Sequence, residues 1–371
     1  MTIYLDHAAT SLLKPIGVSQ AVSNAMRTMA SPGRGSHRPA LRAADTVLDC
    51  RIAAAELFHV EDPEHIVFTF NATHALNLAI FSLVHPGSRV LISGFEHNAV
   101  TRPLRAVGAD VRIAGRRLFD RQALIDEFAR AIPGVDHVVC THVSNAFGYI
   151  LPIREIAGLC RKHGCSLIVD ASQSAGVLDV DQRELGADFI AMPGHKGLFG
   201  PQGTGLLLCG REGRPLLFGG SGSDSRQQNM PAYLPDRLEA GTQNACGIAG
   251  LLAGIRYVKE VGTAAIREHE TKLLRYMCSR LKKDERIELF RGEDETQSGV
   301  LSLRCRGLDS ETAAGMLGEK GVCVRGGLHC APLAHESAGT LETGTVRFSF
   351  SPFNTEEEIE TACSRLREML P

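Results

Sequence analysis

No charge of one sign dominates this chain of 371 residues: 40 Lys and Arg stand against 42 Asp and Glu, a formal net charge of −2. The clustered basic surface needed by a nucleic-acid partner or an anionic membrane is therefore not expected. Balanced charge with 44% hydrophobic residues also lies outside the composition of disordered chains. No apolar run approaches the roughly 18 residues of a membrane span. Met1 to Thr10 carry Asp6 and no basic flank, so a cytoplasmic protein is expected. On that expectation the sequon Asn71-Ala72-Thr73 carries no glycan. None of the 11 cysteines forms a Cys-x-x-Cys pair, which removes a zinc-ribbon signature, and the odd count excludes complete pairing within the chain. Free thiols in a reducing compartment fit, with no metal site. Internal repeats, low-complexity tracts and long linkers are missing too.

What is present is a folding pattern. Short β-rich runs recur at 66–70 (IVFTF), 89–93 (RVLIS), 137–141 (HVVCT), 166–170 (SLIVD), 188–192 (DFIAM) and 204–209 (TGLLLC). Most are continuously apolar, as suits strands buried on both faces, and segments between them, such as Ile153 to His163, carry helical spacing. Alternating strand and helix implies an α/β fold with a mainly parallel sheet. Ligands of such sheets sit beyond the carboxyl ends of the strands. After about residue 245 the pattern changes. Two long helices are predicted over Ile248 to Lys283, then strands at 299–304, 321–325 and 345–350, then a helix from Thr355 to Met369, together a smaller α+β unit. The chain also exceeds the roughly 250 residues at which single cores split.

The segment GHKGLFGPQGTG, Gly194 to Gly205, lies between two predicted strands. It has neither P-loop spacing nor a dinucleotide fingerprint. Glycines around Lys196 imply close approach of backbone to something bound, with Lys196 as a nucleophilic amine; on this segment alone a surface lysine beside a loop is equally open. Upstream, SLIVDASQSAG places Asp170 at a strand end and Gln173 three residues later. A carboxylate there can hold a cationic ring nitrogen, the partner of a pyridinium electron sink, or it can cap a helix. A strand-end acid followed 26 positions on by a loop lysine is the arrangement expected of a pyridoxal phosphate enzyme.

The run from Val143 to Gly205, VSNAFGYILPIREIAGLCRKHGCSLIVDASQSAG through LGADFIAMPGHKGLFGPQGTG, resembles the class V aminotransferase superfamily, specifically its cysteine desulfurase and selenocysteine lyase family. YLDHAATS at 4–11, RGSH at 34–37, FEHN at 95–98, EAGTQN at 239–244, VRGGLHCAPL at 324–333 and VRFSFSPFNT at 346–355 resemble further family segments in order. The resemblance implies a fold type I transferase: a large cofactor-binding domain over 15–245, and a small α+β domain from 1–14 and 246–371 carrying the cysteine loop and the substrate arginine.

By position, the resemblance implies that Lys196 binds pyridoxal 5'-phosphate through its amine, Asp170 pairs with the ring nitrogen, Gln173 with the phenolic oxygen, and His97 stacks on the ring. Asn145 would lie near the ring oxygen and the substrate. Thr73 and His74, at the start of the helix after 66–70, would contact the phosphate, as would His195. Thr242 would reach the phosphate of a partner subunit, which implies a homodimer. Arg347 would bind the substrate carboxylate, a task suited to the planar guanidinium fork. Cys330 differs from cysteines in predicted strands such as Cys140 and Cys209, because Arg325, a Gly-Gly pair and His329 precede it in a loop. By resemblance it is the nucleophile, on the short loop of the family's second type.

The reaction implied converts L-cysteine or L-selenocysteine to L-alanine. Lys196 takes the Cα proton, the sulfur or selenium passes to Cys330, and an acceptor protein or thiol collects it. Pro193 stands where many relatives have the serine of a Ser-x-His-Lys motif, and Asn98 where many have a second histidine. Both departures leave open whether sulfur or selenium is the true product. An aminotransferase or epimerase on the same fold, or a non-catalytic scaffold, is the alternative.

Overall fold

The computed structural model describes residues 2–33 and 35–371; Arg34, of the RGSH segment, lies outside the described residues. Its centre is a seven-stranded sheet in the order Ile66–Thr69, Gly205–Cys209, Phe189–Pro193, Ser166–Asp170, His137–Thr141, Arg89–Ser93, Asp110–Ala114. Gly205–Cys209 runs antiparallel to both neighbours and the other pairs are parallel. All six expected runs are strands of this sheet. The seventh, Asp110–Ala114, lies at the edge, where only Ala114 is buried, so no continuous apolar run marks it. Helices cover both faces and separate two apolar clusters, one containing Leu91, Val138 and Val169, the other Val90, Val139 and Ile168. Neighbouring residues of one strand thus feed opposite cores, the alternation that a pleated strand imposes.

A smaller antiparallel sheet, Val346–Ser349, Val300–Cys305 and Ile287–Phe290, is backed by the Glu356–Met369 helix. That helix begins with a capping box between Thr355 and Glu358. Ile3–Tyr4 pairs in parallel with Val322–Cys323, and Ile3 and Leu5 join the cluster of Leu301, Val346, Phe348 and Leu366. The chain's first residues are thereby packed with its last hundred. The Ala245–Val261 helix, expected with the smaller unit, packs with the larger instead: Ile248, Leu251, Leu252 and Ile255 belong to the core of the large sheet. The following helix, Thr263–Leu281, gives Leu273, Leu274 and Met277 to the small one. Packing therefore changes sides near Gly262, which has a left-handed φ of 84° between the two helices.

One buried ion pair ties a loop to the large sheet. Arg51, on the Arg38–Phe58 helix, pairs with Glu239 at 2.6 Å, and both are nearly inaccessible to solvent. Glu239 also accepts the backbone N–H of Phe68 at 2.6 Å, on the edge strand, while Arg51 lies over the Phe68 ring at 4.5 Å and donates to the Ile66 carbonyl. An edge N–H that could recruit another strand is thus occupied. Arg51→Ala leaves Glu239 buried with its charge unpaired and is expected to destabilise the fold by about 3–5 kcal/mol in chemical denaturation.

Candidate active site

The carboxyl ends of the parallel strands converge on one cavity of about 220 Å³. Each strand delivers a residue or two and then turns away. Asn71 caps the Ala72–Leu83 helix by accepting the His74 N–H at 2.9 Å, which leaves Thr73 in its first turn at the cavity wall. His97 caps the Asn98–Val107 helix, its Nδ1 accepting the Ala99 N–H at 2.9 Å. Asn145, Asp170, Gln173, His195 and Lys196 follow the next strands and line the same wall. The Lys196 loop is seated by backbone contact: a Cβ at Gly197 would meet the Ala175 carbonyl at 2.4 Å, and one at Gly176, where φ is +86°, would meet the Gly197 carbonyl at 2.2 Å. Only two glycines permit that approach.

The opposite wall comes from the small sheet and the N-terminal segment. Arg347, 1% exposed, donates from Nη2 to Asp6 at 2.7 Å and from Nη1 to the Asn145 carbonyl at 3.0 Å. Its Nε is buried and has no partner among the described residues. Arg325, bridged through backbone to Arg347, lines the cavity beside it. Ala8 accepts from Gln173 Nε2 at 3.0 Å, and Thr10 Oγ1 meets His195 Nδ1 at 3.0 Å, so the first residues bind directly to the wall built by the large sheet.

Cys330 stands at the rim, exposed, with Arg325 Nη2 donating to its Sγ at 3.7 Å. His329 and Cys330 both have left-handed backbones, φ 50° and 58°, conformations that cost non-glycine residues about 1–3 kcal/mol each. His329 holds the loop in place. Its buried Nε2 contacts the Thr345 carbonyl and hydroxyl at 3.1 Å, and its carbonyl accepts from Asn145 Nδ2 at 2.6 Å. The Asn98 N–H donates to the Cys330 carbonyl at 2.8 Å, which links the loop to the His97 turn.

Burial pushes the Lys196 ammonium down to about 8; Asp170 opposes that shift, and Arg347 and Arg325 reinforce it. Burial likewise lowers His97, and it lowers His195 to about 4 with help from Lys196 and Lys14, so both imidazoles are neutral near pH 7.

One residue expected in this cavity, His74, lies outside it, and Thr242, expected at a partner's phosphate, lies beside it. His74 turns from the cavity, its Nδ1 accepting the Phe70 N–H at 3.3 Å and its ring stacking on Phe70 at 4.7 Å. It shares a neighbouring crevice with exposed Thr242. Pro193, in place of the usual serine, also lines the main cavity and adds no hydroxyl there. Asp6 was read only as a charge near the terminus, and its pairing with Arg347, 341 residues away, had no local signal. Among the described residues no group of three or more His, Cys, Asp or Glu could hold a metal, and no helix is long and apolar enough to cross a membrane.

The chain matches the aminotransferase class-V family over residues 3–361. It belongs to that family. A relative from Methanothermobacter thermautotrophicus, named "Probable cysteine desulfurase", is 35% identical over 99% of this chain and 94% of its own length. One of the same name from Pyrococcus abyssi is 32% identical over 99% and 94%. The solved cysteine desulfurase of Thermococcus onnurineus NA1 superposes with a TM-score of 0.91 at 32% identity, covering 100% of this chain and 94% of that one. The cysteine desulfurase CsdA of Escherichia coli gives 0.87 at 26% identity, covering 100% and 96%. The fold is thus the type I transferase fold expected.

Because its ammonium titrates near 8, Lys196 is about half neutral at that pH, where an ordinary lysine, near 10.4, is almost wholly charged. Burial lowers Lys14 to about 8 as well, so mass-spectrometric mapping of the cofactor-free chain with an amine-reactive reagent is expected to find Lys196 and Lys14 labelled ahead of the other lysines near neutral pH. The labelling rates of these two should level off above pH 8 while those of the other lysines keep rising.

Proposed function

We propose that the chain is a pyridoxal phosphate-dependent cysteine desulfurase or selenocysteine lyase, converting L-cysteine or L-selenocysteine to L-alanine and passing the chalcogen to an acceptor protein through Cys330. The observation that carries this reading is the convergence, around one cavity, of the Lys196 and Asp170 wall with the Arg347 and Arg325 wall, whose Arg325 reaches the exposed Cys330 thiol next to the cavity-lining His329. The residues present fit the cofactor. Asp170 is buried at a strand end facing the cavity, Thr73 lies in the free first turn of a helix suited to a phosphate, and Lys196 has a depressed amine. When bound, pyridoxal phosphate supplies an electron sink that acidifies the substrate's Cα.

In this reading the chain's own groups divide the work. Asp170 holds the proton on the ring nitrogen, Gln173 and His97 fix the ring, and Thr73 and His195 meet the phosphate. Arg347 offers its unpartnered Nε side to the substrate carboxylate, held in orientation by Asp6 and the Asn145 carbonyl. Lys196 takes the Cα proton as a neutral amine. The Cys330 thiolate, beside the Arg325 guanidinium, attacks the substrate sulfur: the new S–S bond forms, the Cβ–S bond breaks, and its electron pair stays on the three-carbon fragment. Protonation of that fragment gives alanine, and the persulfide leaves on Cys330 for its acceptor.

Three assignments extend the same reading. The small unit comprises 1–14 and the chain beyond the large domain. A homodimer would place Thr242 at the partner's phosphate, supported by the exposed apolar side chains of Phe70 and Leu217 in its crevice. Reduced, reactive Cys330 suits a cytoplasmic setting.

The test is product analysis with cysteine and selenocysteine side by side. Wild type is expected to release alanine from both, and Lys196→Ala to lose the cofactor's visible absorbance and all turnover. Cys330→Ala is expected to lose cysteine turnover by at least two orders of magnitude while sparing much of the selenocysteine reaction, whose weaker bond needs less help. Cysteine turnover by Cys330→Ala at the wild-type rate would end the persulfide route. Amino transfer to a keto acid, or racemised product, would instead identify an aminotransferase or epimerase.

A further inference from the structure

The FEHN segment contributes a second buried group besides His97. Glu96 is wholly inaccessible and sits between two strand ends. Its Oε1 accepts three hydrogen bonds: the Ser93 hydroxyl at 2.5 Å, the Thr141 N–H at 2.9 Å and the Ser93 N–H at 3.4 Å. Ser93 ends the Arg89–Ser93 strand and Thr141 ends the neighbouring His137–Thr141 strand. One oxygen therefore joins two strand termini to the turn whose next residue is His97. The other oxygen, Oε2, is buried without a partner among the described residues.

We propose that Glu96 is a positioning residue that works as a neutral carboxylic acid, pinning the His97 turn to the sheet while leaving Asp170 as the nearby anion for the cofactor nitrogen. Three donors converge on a single oxygen, and among the described residues no cation pairs with the group. The titratable groups around it are Asp170 on the Ser166–Asp170 strand, Cys140 on the His137–Thr141 strand, and His97 on its own turn. An ionised carboxylate there would be a buried charge with one oxygen unsatisfied and a like charge alongside, which costs far more than an acid bearing its proton on Oε2. Burial raises the group to about 8, with Asp170 adding to the rise and the Ser93 and Thr141 hydrogen bonds opposing it.

This inference deepens the function proposed above and rests on it only for the role of His97. A neutral Gln in place of Glu96 keeps an oxygen for the three donors and puts an amide where the protonated oxygen was. Ala keeps neither. Two measurements on the full chain separate the outcomes. The first is thermal unfolding of cofactor-free wild type and Glu96→Gln across the pH range. Wild-type Glu96 holds its proton in the folded state up to about 8 but only to its ordinary 4.5 when unfolded. Its contribution is therefore complete below 4.5 and lost as pH rises to about 8, whereas Gln loses nothing. The melting temperature of Glu96→Gln relative to wild type should climb steadily through that window. A difference that stays constant with pH overturns the neutral-acid assignment, whether or not the chain is a desulfurase.

The second measurement is alanine release by the loaded enzyme, read with the imidazole NMR signal that His97→Gln removes. Glu96→Gln is expected to stay within about twofold of wild type and keep the His97 signal in place; Glu96→Ala should shift that signal and lower kcat/KM on the order of 10- to 100-fold. Equal losses in Gln and Ala, or an unmoved His97 signal in Ala, overturn the positioning role. If Ala does not fold, Gln decides alone: loss of turnover with a displaced His97 signal contradicts the proposal. Absence of desulfuration in wild type counts against the proposed function and leaves the melting and NMR results to judge Glu96.

Discussion

A guanidinium with almost no exposure sits where the two sheets meet. Arg347 belongs to the small sheet, yet its partners are Asp6 in the N-terminal segment and the carbonyl of Asn145 beyond a strand of the large one. A buried arginine is tolerated only when its donors are met, and here two of its nitrogens hold three parts of the chain together while the third, Nε, has no partner among the described residues. The same contacts that make the charge acceptable in the interior orient it toward the cavity. Structure and site share one constraint.

The chemistry follows from what each side can supply. Parallel strands end in tight turns and helix starts, which favour a phosphate, a neutral imidazole such as His97 and a lysine whose amine is lowered by burial. The small unit supplies guanidinium groups and a thiol on a strained loop, held by His329 and reached by Arg325. Neither wall is sufficient. In the proposed reading the first would activate a carbon next to an amine but would lack the thiol that accepts sulfur; the second would bring that thiol and the guanidinium for a carboxylate but not the Lys196 base.

Much of this was legible in the amino-acid sequence, and the reasons differ by part. Six strands of the large sheet announce themselves because burial on both faces demands continuous apolar runs; Asp110–Ala114 does not, because an edge strand is free to be polar. Asp170 ends one strand and Lys196 follows another, and it was this pairing together with the family resemblance that marked them, since either residue alone left a bland role open. Long-range pairs leave no such trace. The Arg347–Asp6 contact spans 341 residues, and the burial that makes Glu96 matter comes from strands that only folding brings together. His74 shows the opposite error: next to Thr73 in sequence, it faces another crevice because successive residues in a helix point in different directions. The Ala245–Val261 helix was misplaced for a related reason, since helical periodicity shows that a face is buried without showing against which sheet.

The central claim is that sulfur leaves the substrate directly onto Cys330. The most direct measurement is a single turnover with cysteine labelled at sulfur and no acceptor present, followed by non-reducing peptide mapping. The account predicts label on the peptide containing Cys330, released by a thiol reductant, with one alanine formed per labelled site. Alanine formed in the same amount with all label in free sulfide, or label on any of the other ten cysteines, would contradict it.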